Sequence, residues 1–155
     1  MPPRNTPSSN EILLCRNLEE IKENLPNVEV TFPDPDKITE FEVAFSVNEG
    51  IYHGGKFVFK FVIPKDWPRE RPRVTCQTKV WHPHISEEGV ISLNIIREAF
   101  SPTVTIAQII VALHFLFAEP SFNSPLNRQA ADEALSNFKA FQTKVQEYIK
   151  NYCHN

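Results

Sequence analysis

Aromatic side chains recur at every second position over residues 56–63, where Phe57, Phe59 and Phe61 alternate with valine and lysine. Successive side chains of a β-strand point to opposite faces of a sheet, so this pattern predicts a strand with one aromatic face toward the core. The preceding Gly54-Gly55 is typical of a turn. Short runs of β-branched and aromatic residues at 28–32, 41–47 and 73–77 predict three more strands, and together a four-stranded antiparallel meander.

Helical periodicity flanks the predicted strands on both sides. Ser9 is a suitable N-cap for a helix that ends at Leu25, and its apolar stripe comprises Ile12, Leu14, Leu18, Ile21 and Leu25. Residues 105–118 are apolar on all but one side, which predicts a deeply buried central helix. Residues 128–151 predict C-terminal helices with a break near 136–138 and inward-facing Phe138, Phe141, Val145 and Ile149. Because helices and strands are segregated along the chain, the fold class is α+β.

The composition predicts one globular domain and excludes several classes of protein. A chain of 155 residues with 41% hydrophobic content suits a single core, so we expect a flexible N-terminal arm over residues 1–10 and one domain over 11–155. A net charge of -3 gives no reason to expect nucleic acid as a partner. No run approaches the roughly 18 apolar residues of a membrane span, and the first ten residues lack a signal peptide's apolar core. We therefore expect no membrane partner and a cytoplasmic or nuclear location.

Cysteine and histidine spacing predicts neither a disulfide framework nor a metal site. The chain has three cysteines, an odd number, and they are widely spaced: Cys15, Cys76 and Cys153. They are therefore expected to be reduced structural thiols. A zinc site made of Cys76, His82 and His84 lacks a fourth ligand at a normal spacing. No metal and no cofactor are expected.

The proline-punctuated stretch after residue 77 carries the most specific motifs. It reads H-P-H-I at 82–85, G-V-I-S-L-N-I at 89–95 and F-S-P at 100–102. These motifs resemble the active-site segment of ubiquitin-conjugating enzymes, as do W-P-R-E-R-P at 67–72 and P-L-N-R-Q-A-A at 125–131. Five motifs in the family's order and spacing, over about residues 11 to 152, imply the ubiquitin-conjugating (UBC) fold.

Three further segments resemble the neddylation branch of that family, whose members modify cullins: F-P-D-P at 32–35, E-G-I-Y-H-G-G-K-F at 49–57 and L-N-I-I-R-E at 93–98. The resemblance implies three kinds of partner: ubiquitin or a ubiquitin-like modifier, an activating enzyme, and a RING-type ligase. Cullin-associated ligases are among the RING-type ligases implied. Members of the branch usually dock on the activating enzyme through a longer N-terminal extension, so the ten-residue arm departs from the pattern.

The resemblance also assigns the site residues, and three of them differ from the family. Ser92 stands at the position of the catalytic cysteine, His84 at that of an asparagine and Ser124 at that of an acidic residue. A serine hydroxyl has no accessible anion near neutral pH without a general base, so Ser92 is expected to be a poor acyl carrier. His84 can still donate a hydrogen bond to an oxyanion, whereas Ser124 cannot supply a carboxylate. His82 is expected to bond to backbone and support the loop.

Three departures favour a conjugating-enzyme homologue that is catalytically silent or impaired. The alternative is a true neddylation-type conjugating enzyme in which Ser92 was introduced to trap the loaded state, and a third interpretation is a structural subunit without modifier contact. A hydrolase with Ser92 activated by His84 is disfavoured because the segment lacks the second glycine of a G-x-S-x-G elbow.

Two loops are predicted to form a ligase-binding surface. Trp67 and Pro68 in one loop, with Ser101 and Pro102 in the other, resemble the surface that RING-type ligases grip. Aromatic residues such as Trp67, Trp81 and Phe100 are more often core or loop anchors than ligand contacts, but exposed apolar side chains on such loops commonly serve binding, so Trp67 is the exception proposed to contact a ligase.

Overall fold

A computed structural model of the protein describes residues 8–153, so residues 1–7 of the predicted arm and residues 154–155 lie outside the described residues. In chain order the elements are α1 (Ser9–Asn24), β1 (Glu29–Thr31), β2 (Glu40–Val47), β3 (Gly55–Val62), β4 (Arg73–Cys76), a 3₁₀ turn (Asn94–Ile96), α2 (Ile106–Ala118), α3 (Arg128–Ser136) and α4 (Phe138–Tyr152). The predicted α+β class is confirmed.

The four strands form one antiparallel sheet in the order β1-β2-β3-β4. The register places Phe45 opposite Phe57, and Phe41 opposite Phe61. The side chains of Phe57, Phe59 and Phe61 are fully buried, so the alternating pattern correctly predicted which face of β3 lies toward the core.

Helix α2 packs on the inner face of the sheet and also contacts α1. The Phe117 ring stacks on the Phe57 ring with their centroids 4.1 Å apart. At the other end of α2, buried Asn17 of α1 accepts a 2.8 Å hydrogen bond from the backbone N–H of Ile106 and donates one of 3.0 Å to the Leu13 carbonyl. These contacts fix α2 between the sheet and α1.

Three details of the helices differ from the predictions. Ser8 caps α1, so the helix includes Ser9 and Asn10, which were assigned to the arm. Ile12 is exposed, because the buried stripe of α1 follows Leu14, Asn17 and Ile21 instead. Phe138 is also exposed, since it is the first residue of α4 and lies at the edge of the core. The predicted break between the last two helices is confirmed at Asn137.

The central helix is buried on one face only. Val111 and Phe115 are 53% and 61% exposed, so α2 presents an apolar surface to solvent. The prediction of burial on nearly all sides was therefore wrong for this face. No helix between residues 8 and 153 has the length and apolar character needed to cross a membrane.

Candidate functional site

The loop that carries Ser92 is held by backbone hydrogen bonds. The N–H of Ser92 donates to the His84 carbonyl over 2.8 Å, and Ile85 forms a β-bridge with Ile91. Gly89 has a φ of +91°, and a Cβ there would collide with the carbonyl oxygen of Cys76. Glycine is therefore required at the point where the loop passes against β4.

His82 fastens this loop to α2. Its ring is fully buried, its Nε2 donates to the Leu116 carbonyl over 2.8 Å, and its Nδ1 accepts a 3.0 Å hydrogen bond from the backbone N–H of His84. One nitrogen must donate while the other accepts, so the contacts require the neutral ring. Burial is the main cause that lowers the pKa of His82 to about 3. The expected bonding of this histidine to backbone is confirmed.

The turn that contains Ser124 is tied to the same loop. The Pro83 carbonyl accepts hydrogen bonds from the N–H groups of Leu126 and Asn127, at 2.9 and 2.8 Å. Asn127 also caps α3 through Ala130. Ser124 is exposed and has a φ of 49°, a left-handed conformation that few residues other than glycine and asparagine adopt. The turn is thereby directed to the groove beside Ser92.

Ser92, His84 and Ser124 line one open groove of about 870 Å³. The exposed Phe115 of α2 lies on its wall, together with Val111. The structure thus brings together the three predicted site residues that depart from the family, while His82 lies behind the groove as a support.

Ser92 lacks the contacts of an activated nucleophile. Ser92 is half-buried, and its Oγ has one hydrogen-bond partner among residues 8–153, the Arg97 guanidinium, whose Nη1 lies 3.5 Å away. Arginine donates and cannot take a proton, so it cannot act as the general base that a serine nucleophile needs. His84 makes no hydrogen bond to this oxygen, which argues against a serine hydrolase.

His84 is buried, with 8% of the residue exposed, and its Nε2 makes no hydrogen bond with any residue in the described part of the chain. Burial lowers the pKa of His84, and the nearby Ser121 carbonyl opposes this shift only in part. The ring is consequently neutral near pH 7, and its Nε2 is a buried nitrogen rather than an accessible group of the groove.

The predicted ligase-binding residues differ in exposure. Trp67 is only 2% exposed, so its ring is a core anchor and is not accessible to a ligase in this structure. Pro68 and Ser101 are half-buried and Pro102 is exposed, so these three remain available at the surface. Their role in ligase binding remains a prediction.

The residues considered for zinc are engaged elsewhere. Cys76 donates from Sγ to the Thr78 carbonyl, and both nitrogens of His82 are bonded to backbone. Within residues 8–153 no three histidine, cysteine or acidic side chains form a group that could hold a metal ion.

Sequence reasoning did not identify the acidic residues of the groove. Glu98 follows the 3₁₀ turn and Glu119 caps the C-terminal end of α2, yet both line the groove with Ser92. Glu98 ends the L-N-I-I-R-E motif at 93–98, which was used only for its resemblance to the neddylation branch, and Glu119 lies in none of the motifs, so the fold alone brings Glu119 to the groove.

A four-stranded meander packed on a central helix, with Ser92 on a loop above a groove, defines a conjugating-enzyme domain. The E2 domain of a Toxoplasma gondii ubiquitin conjugating enzyme has the same fold, with a TM-score of 0.85 at 25% identity over 93% of this chain and 99% of that one. A family model described as ubiquitin-conjugating enzyme matches residues 13–149. The chain belongs to the ubiquitin-conjugating enzyme family.

Curated relatives confirm the predicted similarity to the neddylation branch. The Nedd8-conjugating enzyme UbcE2M of Drosophila melanogaster is 38% identical over 147 residues, covering 94% of this chain and 80% of the relative. The NEDD8-conjugating enzyme UBE2F of Danio rerio is 40% identical over 148 residues, covering 90% and 80%. The NEDD8-conjugating enzyme Ubc12 of Arabidopsis thaliana is 41% identical over 140 residues, covering 89% and 75%.

Proposed function

We propose that this protein is a homologue of the NEDD8-conjugating enzymes that, with Ser92, is silent or impaired as an acyl carrier. In this proposal it acts by binding a ubiquitin-like modifier, the activating enzyme or a RING-type ligase. The observation that carries the proposal is the environment of Ser92 Oγ, which contacts a guanidinium and no base among residues 8–153. The names of the relatives support NEDD8 as the modifier.

The chemistry of the nucleophile explains the expected impairment. A carrier must attack the acyl group and later release it. The low pKa of a thiol serves both steps, because it makes the thiolate available for attack and stable as a leaving group. A serine hydroxyl attacks only when a base removes its proton, and the resulting oxyester is a poorer acyl donor. Arg97 provides no such base.

The surfaces around Ser92 remain suited to binding. The groove is open and has a volume of about 870 Å³, and the exposed Val111 and Phe115 of α2 lie on its wall. A modifier whose tail occupies the groove would place its globular part against these apolar side chains, which explains why they are exposed. Pro68, Ser101 and Pro102 are the proposed contacts for a ligase.

The loop that carries Ser92 favours the second candidate, a true NEDD8-conjugating enzyme in which Ser92 interrupts an otherwise working site. His82 and the Pro83 carbonyl anchor the loop to α2 and to the turn at Ser124. Under this alternative, a sulfur atom at position 92 is sufficient to restore transfer of the modifier to lysine.

A charging assay tests the proposal. The Ser92 protein and the Ser92→Cys variant are incubated with ATP, NEDD8 or ubiquitin and the matching activating enzyme, and the products are separated with and without reductant. We expect a reductant-labile NEDD8 adduct on the Ser92→Cys variant, and on the Ser92 protein either no adduct or a reductant-stable ester. Ser124→Cys, a second serine of the same groove, is the matched control and should form no adduct.

Each result has a distinct meaning. If the Ser92 protein transfers NEDD8 to lysine as fast as its Ser92→Cys variant, the proposed impairment is wrong. If the variant forms no adduct with either modifier, docking on the activating enzyme is lost and the NEDD8 assignment fails. Efficient lysine transfer by Ser92→Cys alone supports the second candidate.

A further inference from the structure

The turn that follows Ser92 places Arg97 beside the Ser92 side chain. Arg97 comes directly after the 3₁₀ turn Asn94–Ile96, and its backbone N–H donates to the Asn94 carbonyl over 3.0 Å. Its own carbonyl accepts a 3.2 Å hydrogen bond from the N–H of Phe100. From this position Nη1 of the guanidinium reaches to within 3.5 Å of Ser92 Oγ. The backbone of Arg97 is therefore held by contacts that do not involve its side chain.

The Arg97 guanidinium has no competing partner in the described part of the chain. Among residues 8–153 its side chain forms no ion pair, and the contact with Ser92 Oγ is its only hydrogen bond. The residue is exposed, so its charge is not needed to satisfy a buried group. The positive charge is thus directed at the atom that occupies the nucleophile position.

The other ionisable groups around Ser92 are neutral or negative. Glu98 and Glu119 line the groove from the turn and from the end of α2, and His84 is neutral near pH 7 because burial lowers its pKa. Within residues 8–153, Ser92 Oγ is hydrogen-bonded to the guanidinium and to neither carboxylate. The two carboxylates oppose an anion at residue 92, whereas Arg97 favours it.

We propose that Arg97 is a catalytic residue that stabilises negative charge on the side-chain oxygen or sulfur of residue 92. This inference rests on the proposed function, because that charge appears when an acyl carrier releases its acyl group. In release, the acceptor amine forms a bond to the carbonyl carbon and loses a proton to solvent. The bond from that carbon to residue 92 breaks, and its electron pair stays on the oxygen or sulfur.

The proposal separates two requirements of the site. Arginine keeps its proton throughout, so Arg97 acts as a fixed cation and not as a base. A hydroxyl still needs a base before it can attack, and Ser92 has none. A thiol ionises far more readily, and an adjacent cation lowers its pKa further. Arg97 should therefore favour a thiolate in the Ser92→Cys variant.

Titration of this thiol tests the proposal without any modifier or activating enzyme. The Ser92→Cys protein, with and without Arg97→Gln, is alkylated with iodoacetamide over a pH series, and the rate at residue 92 is read by peptide mass spectrometry. Loss of one unit charge at this separation in water should raise the apparent pKa of the thiol by about 0.5–1 pH unit. At pH values below the pKa, alkylation should then be about three- to tenfold slower.

Three controls separate the contact from a general effect of charge. Arg97→Lys keeps the cation and should retain most of the lowered pKa. Arg73→Gln removes the same charge from an exposed position on β4 that does not line the groove, and it should leave the pH profile unchanged. Exposed Cys15 of α1, alkylated in the same samples, is the internal reference. High salt should narrow the difference between the arginine and glutamine proteins, since the contact is exposed.

Three results would overturn the inference. One is the same pH profile with Arg97→Gln as without it, in a variant whose urea denaturation shows that it is folded. Another is an equal rise of the thiol pKa in Arg97→Lys and Arg97→Gln, which would show that the charge is not the cause. The third is an equal rise in Arg73→Gln, which would assign the effect to the net charge of the protein.

The two proposals fail separately. If Arg97→Gln raises the thiol pKa but Ser92→Cys is never charged with NEDD8, the contact between cation and anion stands and the assignment to NEDD8 conjugation falls. If Ser92→Cys is charged but its pH profile does not depend on Arg97, only the role of Arg97 falls.

Discussion

Acidification should destabilise this protein through His82. The ring is fully buried and neutral, with its two nitrogens bonded to the Leu116 carbonyl and to the backbone N–H of His84. Protonation would place a charge in the core and turn the accepting Nδ1 into a donor that faces another donor. The unfolded chain has no such restriction, so it binds the proton at a higher pH than the folded protein does.

The size of the effect follows from the two pKa values. The pKa of His82 is about 3 in the folded protein, against the ordinary 6.5. A group with a depressed pKa contributes its full stability above the ordinary value and loses it as the pH falls toward the folded value. The free energy of unfolding should therefore drop by about 2 kcal/mol between about pH 7.5 and pH 5, and by about 3 kcal/mol at pH 4.

Urea denaturation of the unchanged protein and of a His82→Gln variant, over the same pH series, isolates this contribution. Glutamine retains hydrogen-bonding capacity but does not titrate, and every other ionisable group is common to both proteins. We expect the stability difference between them to narrow by about 2 kcal/mol as the pH falls from about 7.5 to 5. Parallel curves over that range would show that the buried ring does not resist protonation and would refute the reasoning.

Two further substitutions test the supports of the fold by urea denaturation. Gly89→Ala should lower the free energy of unfolding by about 2–4 kcal/mol, because the new methyl group collides with a backbone carbonyl at a positive φ. Gly54→Ala, at a similar φ of 85° but in open space, should lower it by only about 1 kcal/mol. Equal losses of stability in the two variants would contradict the steric argument. Asn17→Ala should lower the free energy of unfolding by about 2–3 kcal/mol, because it leaves the N–H of Ile106 buried and unpaired. Glu19→Ala, on the exposed side of the same helix, should lower it by less than about 0.5 kcal/mol. Similar values for the two variants would show that the Asn17 contact contributes little.

The sheet could be predicted from local patterns because its side-chain period is short and its core face is aromatic. The predicted ends of the four strands differ from the observed ones by no more than one residue. A strand with one buried face leaves little freedom in register, since a shift by one position would expose Phe57, Phe59 and Phe61 together. The break at Asn137 was also predictable, because asparagine both ends α3 and caps α4.

Exposure of single apolar residues could not be predicted in the same way. The sequence of α2 is apolar on most sides, and only the packed structure shows that Val111 and Phe115 have no covering element among residues 8–153. Trp67 presents the opposite case, since a tryptophan in a proline-rich loop can insert into the core or face solvent with the same local pattern. Its burial depends on the distant segments that surround it.

The candidate site contains acidic residues that comparison of motif positions with the family did not assign to it. Comparison with the family correctly brought Ser92, His84 and Ser124 to one place, because these residues lie in segments with fixed spacing. It concluded that Ser124 cannot supply the carboxylate that the family has at this position. The charge of a groove depends on every ionised side chain that lines it, whichever segment carries that side chain. Since Glu98 and Glu119 line the same groove, its charge must be judged from the folded protein.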